Sequence, residues 1–90
     1  MIKEKTTPII NYKKGIAPYI QIKDYLNDKI VNGEWQPGHQ IPPESKLVKD
    51  FGVSRMTIRR AISELVIEGK LETKQGSGTF VTEPLLESNF

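Results

Sequence analysis

Residues 51–69 read FGVSRMTIRRAISELVIEG, and the rest of the chain takes its meaning from this stretch. Ile58, Ala61, Ile62, Leu65 and Val66 fall at i, i+3, i+4, i+7 and i+8, which places them on one face of a helix at about 3.6 residues per turn. Ser54 offers an N-cap oxygen, and Gly69 stands where a left-handed carboxyl-terminal stop is wanted. On a wheel centred on Ile58, the opposite face carries Met56, Arg59, Arg60 and Ser63, with Arg55 nearer its margin. Between Phe51 and Ser63 there are three arginines and no acid, so an anion can lie along the first two turns without meeting repulsion. A cation at a helix amino terminus opposes the macrodipole, so local helix stability does not explain Arg55. A phosphate or the edge of a guanine does, since a guanidinium bonds either in a forked geometry. Arginines on a solvated helix face also occur in proteins that bind no anion, and the neighbouring segments must decide between the two readings.

Composition narrows the field. Ninety residues make one small domain with a single modest core. With 37% hydrophobic and 27% charged residues, the chain has the make-up of an ordinary soluble domain. No apolar run approaches the roughly 20 residues of a membrane span, and residues 1–8 lack the apolar centre of a signal peptide. No membrane partner is expected. The absence of cysteine excludes disulfides and thiol chemistry and fits a reducing compartment, so the expected location is cytoplasmic. The net charge of +2 is too mild to identify a nucleic-acid binder without the local clustering above.

Upstream, MIKEKTTPIINYKKGIAP has no sustained period, and residues 1–16 read as a largely disordered arm. Its lysines, Lys3, Lys5, Lys13 and Lys14, read as a solvated tail rather than a polyanion contact. Residues 19–32 form the first expected helix, with Tyr19, Ile22, Leu26 and Ile30 on one face and Gly33 ending it. Tyr19 and Tyr25 belong at the core edge rather than in base stacking. In EWQPGHQIPP, residues 34–43, Pro37-Gly38 suits a type II turn and 39–41 one short strand. Trp35 is a lid on the core. His39, the only histidine, has no cysteine or clustered carboxylates beside it, so neither a metal, a cofactor nor acid-base catalysis is expected. Residues 44–51 then make a two-turn helix with Leu47, Val48 and Phe51 inward and Pro43 at its first position. Gly52-Val53 is a tight turn. Two short helices joined by a turn containing glycine, the second cationic at its start, form a helix-turn-helix.

Downstream, KLETKQGSGTFVTEP changes period. Leu71 and Thr73 alternate with Glu72 and Lys74, Phe80 and Val81 follow, and Gln75-Gly76-Ser77-Gly78 is a hairpin tip. A tip with Lys74 and two glycines can bring backbone N–H groups close to a phosphate or into a minor groove; its bland alternative is a flexible turn. The order of elements decides for the former. The expected class is α+β, a winged helix-turn-helix of three helices plus a small antiparallel sheet with a β-hairpin wing. The domain spans 17–84, its helix-turn-helix about 44–63 and its wing 70–82.

The run PGHQIPPESKLVKDFGVSRMTIRRAISELVIEGKLETKQGSGTFV resembles the GntR family of bacterial transcriptional regulators over roughly residues 17–84. The proline-glycine turn, the Gly-Val-Ser-Arg turn and the Gln-Gly-Ser-Gly-Thr-Phe wing carry the resemblance jointly. It implies DNA contacts from Ser54, Arg55, Thr57 and Arg59, with Gln75 and Gly76 at the wing tip. Two positions depart from the family pattern. Many members have arginine where Ser45 stands, so that contact is missing or passes to Lys46, and many have serine where Pro43 stands, so the usual side-chain cap is lost. The Ser-Arg-Met-Thr form is most similar to the HutC branch, which includes histidine-utilisation repressors. The resemblance also implies an effector-binding domain, for which LLESNF after Pro84 is too short. Residues 85–90 are expected to begin a linker, and the chain to be the DNA-binding part of a longer regulator that a metabolite controls through that other domain.

Three functions of different kinds are in contention. In the first, the chain is a sequence-specific operator-binding module, with Arg55 and Arg59 reading base edges and Lys46, Arg60 and Lys74 balancing phosphates. Met56 and Ser77 lie beside these groups, on the helix face and the wing tip. In the second, the winged helix is a protein-interaction module; its outer helix face ought then to be apolar, and Met56 with Ile67 is a thin patch. The third, an enzyme, lacks any paired carboxylates or nucleophile in a recognisable motif. Double-stranded DNA with a palindromic operator is therefore the expected partner. The isolated chain should be a monomer and the intact regulator a homodimer.

Overall fold

The computed structural model describes residues 10–83. Three helices and one hairpin follow in the expected order. Helix α1, Pro18–Val31, opens on proline in its first turn and buries Ile22 and Leu26; Gly33 follows at φ 79°. Helix α2 is Glu44–Phe51, and helix α3 is Arg55–Ile67. Strands β1, Leu71–Lys74, and β2, Gly78–Val81, pair antiparallel, with Leu71 opposite Val81 and Lys74 opposite Gly78.

Local chemistry accounts for most element ends. Gly52 adopts φ 67° and its N–H closes α2 onto the Val48 carbonyl at 2.8 Å, a left-handed stop that a side chain would strain. Pro43 stands at the N-cap of α2 with extended backbone and no side-chain cap bond, one position before the first helical site expected for it. The Lys46 and Leu47 N–H groups reach the Pro43 carbonyl instead. The Pro37-Gly38 turn is closed by His39 N–H to the Gln36 carbonyl at 2.9 Å.

Residues 38–41 run along the free edge of β2. Gly38 and Ile41 N–H donate to the Val81 and Thr79 carbonyls, and Val81 N–H donates to the His39 carbonyl, each at 2.9 Å. Gln40 bridges to Phe80. The short strand expected at 39–41 is thus a single bridge, and it ties the segment before α2 to the wing.

One core joins these pieces. Ile22 and Leu26 of α1, Leu47 and Phe51 of α2, and Ile58, Ala61, Ile62 and Leu65 of α3 are buried together with Leu71 and Val81 of the hairpin. Tyr25 meets Phe51 edge to face with ring centroids 5.2 Å apart, and Trp35 packs on the core while stacking on His39 at 5.6 Å. Ile30 and Val48 are only partly buried. Ile41 and Ile10 complete the core.

The burial of Ile10 corrects the reading of residues 10–16 as disordered arm. Asn11 caps a 3-10 turn, Tyr12–Lys14, accepting from the Lys13 N–H. The Gln21 side chain accepts from the Asn11 N–H and donates to the Asn11 and Ile16 carbonyls, each at 2.9 Å. One amide on α1 satisfies three backbone groups that would otherwise need water, and this holds Ile10 against the core. Residues 1–9 of the arm and the linker expected over 85–90 lie outside the described residues. Among the described residues no helix is long and apolar enough to cross a membrane.

Candidate nucleic-acid interface

The amino terminus of α3 is built around its cap. Ser54 Oγ accepts from the Thr57 N–H at 3.2 Å and lies 3.0 Å from Thr57 Oγ1, which aims the first turn outward and places Arg55 and Arg59 one turn apart on the exposed side. The buried Ile58, Ala61, Ile62 and Leu65 lock the helix in this rotation. A helix is about 10–12 Å across, and a B-DNA major groove about 12 Å wide. The arginine face therefore has the dimensions and charge to enter one.

The arginines do not stand alone. Glu44, first residue of α2, places one carboxylate oxygen 3.0 Å from an Arg55 terminal nitrogen and the other 2.9 Å from Arg59 Nε. Burial pushes the Glu44 carboxyl up, but the hydrogen bonds from Arg59 and Arg55, with their charges, outweigh it and hold the group below its ordinary value. The expectation that an anion meets no acid along these turns was drawn from residues 51–63 alone and needs correcting: an acid from the neighbouring helix lies against both guanidiniums. It also answers the dipole argument, because this carboxylate supplies the negative charge that Arg55 lacks locally. The side chains of Arg55, Arg59 and Glu44 are 53%, 58% and 30% exposed. Ion pairs this open contribute only about 0.2–1 kcal/mol each, too little to be what the arrangement is for.

A cleft of about 710 Å³ opens between this corner and the hairpin, with Glu44, Ser45 and Arg55 on one side and residues 73–79 on the other. Gln75, Gly76 and Ser77 form its exposed tip, closed by the Ser77 N–H on the Lys74 carbonyl at 2.8 Å. Gln40 donates to the Ser77 carbonyl at 2.8 Å, and its amide occupies the space where a Cβ on Gly78 would stand. At φ 128° that position calls for glycine twice over. The tip is therefore moored to the segment that leads into α2.

Not every expected contact converges. Arg60 turns back to α1: its guanidinium lies 3.9 Å from the Tyr19 ring centroid and donates to the Tyr19 hydroxyl at 3.2 Å. Lys46 pairs with Asp50 one turn on at 2.7 Å, and Ser45 rather than Lys46 borders the cleft. The Lys74 ammonium rests over the Phe80 ring at 4.9 Å, on the hairpin face opposite Thr73 and Thr79. Met56 and Ile67 are 71% and 80% exposed but stand about 16 Å apart along α3, with exposed Arg60 and Ser63 between them, so they form no continuous apolar patch. Glu44, Gln40 and Tyr19 escaped the sequence reading as site residues. For Glu44 a signal existed, an acid opening the helix before two arginines; for Gln40 and Tyr19 there was none.

Comparison with known proteins agrees with this geometry. The family described as bacterial regulatory proteins, gntR family, matches residues 18–81. The chain is 50% identical over 72 residues to the histidine utilization repressor of Pseudomonas putida, covering 79% of this chain and 29% of that protein. It is 46% identical over 78 residues to the HTH-type transcriptional repressor NagR of Bacillus subtilis, covering 87% and 32%. Among solved structures, the AraR DNA-binding domain in complex with operator ORE1 superposes with a TM-score of 0.73 at 45% identity, covering 74% of this chain and 82% of that one. The chain spans about a third of the length of these two repressors.

Proposed function

The chain belongs to the GntR family of bacterial regulatory proteins, with the winged helix-turn-helix DNA-binding domain of that family, and from this premise we propose that it reads an operator through Arg55 and Arg59 and so represses transcription in the cytoplasm. The observation that carries the reading is the pair of exposed guanidiniums one turn apart at the capped start of α3, beside an open cleft and a moored wing tip. Arg55 and Arg59 read base edges from the major groove. Ser54 and Thr57, which cap the helix, bring its first turn up to the backbone, and Met56 lies against the groove floor. Gln75, Gly76 and Ser77 approach an adjacent phosphate or minor groove with the tip's backbone. Lys46, Arg60 and Lys74 balance phosphates once released from Asp50, Tyr19 and Phe80, and Ser45, at the edge of the cleft, takes a short contact. The relatives named as repressors are about three times as long, which supports a further domain in the intact regulator; to that domain we assign the binding of a small metabolite and the pairing of two copies on a palindrome.

The test is titration of labelled duplex at several salt concentrations, using the best site selected from a random pool. With Lys46, Arg60 and Lys74 at phosphates, log affinity should fall with log salt at a slope near −3, about −0.9 per contact. A flat dependence would sink the proposal. Alone, the chain should sediment as a monomer, and two copies should fill a full palindrome with little coupling, because one recognition helix buries too little surface for tight binding. A stable dimer without DNA would place the pairing interface within these residues instead.

A further inference from the structure

Resting on that reading, we propose that Glu44 is a specificity-determining residue: it lends one carboxylate to both Arg55 and Arg59, so that random DNA is held weakly and base edges are favoured over phosphates. A free guanidinium at the end of a flexible side chain grips any phosphate it meets, and two of them would do so with two full charges. Here Glu44 binds Arg55 through a terminal nitrogen at 3.0 Å and Arg59 through Nε at 2.9 Å. Both side chains are fixed in one orientation while most of their N–H donors stay unspent. The bond to Arg59 is made through Nε, which leaves unused by it the end-on pair of terminal nitrogens, the fork that matches the two acceptors of a guanine edge. Three charges at this corner sum to one positive. Phosphates, recognised by charge, lose more from that cancellation than base edges, recognised by the direction of neutral acceptors. The carboxylate can play this part because it is anchored at the start of α2, independent of the helix it restrains.

The experiment compares Glu44→Gln, Glu44→Asp and Arg55→Ala with the wild-type chain on two duplexes: the best site selected by the wild type from a random pool, and a scrambled duplex of the same length and composition. Circular dichroism melts first establish that each variant is folded. Glu44→Gln should bind the scrambled duplex about three- to tenfold tighter, with a salt slope steeper by up to about 0.9, and the ratio of scrambled to selected Kd should fall at least tenfold. Glu44→Asp keeps the charge but is too short to span both guanidiniums, so it should leave scrambled binding near wild type while still lowering the ratio. Should the amide variant fail to fold, the aspartate variant decides, since it retains the acid in the first turn of α2. Wild-type ratios in both variants would overturn the inference. So would a loss of preference confined to one base pair without tighter scrambled binding, which would make Glu44 itself a reader of a base. A wild-type chain with no preference for its selected duplex would overturn the function proposed above and this inference with it. A preference abolished by Arg55→Ala but untouched in both Glu44 variants would overturn this inference alone.

Discussion

The two ends of α3 are both dressed in ion pairs, yet the pairs are arranged in opposite ways. At the amino-terminal end two arginines share the single carboxylate of Glu44. Toward the carboxyl-terminal end one ammonium, Lys23 of α1, lies between the carboxylates of Glu64, at 3.3 Å, and Glu68. The second arrangement joins two packed helices. Its lysine side chain is largely covered, at 21% exposure, and it bonds both carboxylates across the α1–α3 seam. The first joins two helices at an open corner and leaves a positive surplus facing outward. On the proposed function, an ion pair's surroundings, more than its length, separate the group that holds the fold from the one that meets a ligand.

The largest effect expected from breaking this contrast lies in neither ion pair but in the face between them. Leu65 is fully buried, so Leu65→Ala should cost roughly 2–5 kcal/mol in a denaturant melt, while the fraction that stays folded keeps its preference for the selected duplex. Wild-type stability would mean that α3 is rotated from the orientation described. Next come the arginines: Arg55→Ala and Arg59→Ala should each lose on the order of 1–3 kcal/mol of operator binding and relax base preference, while stability changes by no more than the roughly 0.2–1 kcal/mol of one open ion pair. Equal, sequence-blind losses would contradict their assignment to bases.

The seam should reveal itself through pH instead. The Lys23 hydrogen bond holds the Glu68 carboxyl below its ordinary 4.5, and the Glu68 hydrogen bond holds the Lys23 ammonium above its ordinary 10.5. A lowered carboxyl stabilises the fold above its unfolded value, and that stabilisation is lost as pH falls through the folded one. A raised ammonium stabilises below its unfolded value, and that is lost as pH rises through the folded one. The contribution should therefore be level between about pH 5 and pH 10 and decline outside that window. Melts of Lys23→Ala against wild type should show a small constant gap inside the window that narrows at both extremes, with DNA affinity unaffected. A gap that persists at pH 3 would assign the effect to packing of the lysine stem. The smallest change belongs to Lys49→Ala, which removes an exposed charge away from both corners and should alter neither melting nor operator binding beyond experimental scatter.

Much of the fold was legible because its causes are local. The apolar spacing of Ile58, Ile62 and Leu65, the cap at Ser54 and the turn at Gly52 act within a turn or two of themselves, and the structure places each where its pattern indicated. The misjudged places depend on distant partners. Residues 10–16 have no period, but a glutamine on α1 satisfies their backbone and seats Ile10. The candidate site divides along the same line. The exposure of Arg55 and Arg59 follows from the helix wheel, whereas the retreat of Arg60 onto Tyr19 spans 41 positions and is invisible to any pattern along the chain.

By itself the sequence determined where the three α-helices lie, which face of α3 turns inward, that its opposite face begins with arginine, and where a glycine-rich hairpin follows. Periodicity, capping and turn chemistry are short-range, and each is complete within a few residues. Only the tertiary structure decided what those arginines touch and where the wing tip rests. Glu44 lies 11 and 15 positions from its two arginines, and Gln40 lies 37 from the carbonyl it holds. Such contacts exist only after the core has set the angle between α2 and α3 and drawn β2 alongside residues 38–41, because a side chain can bond only what packing has brought within about 3 Å of it.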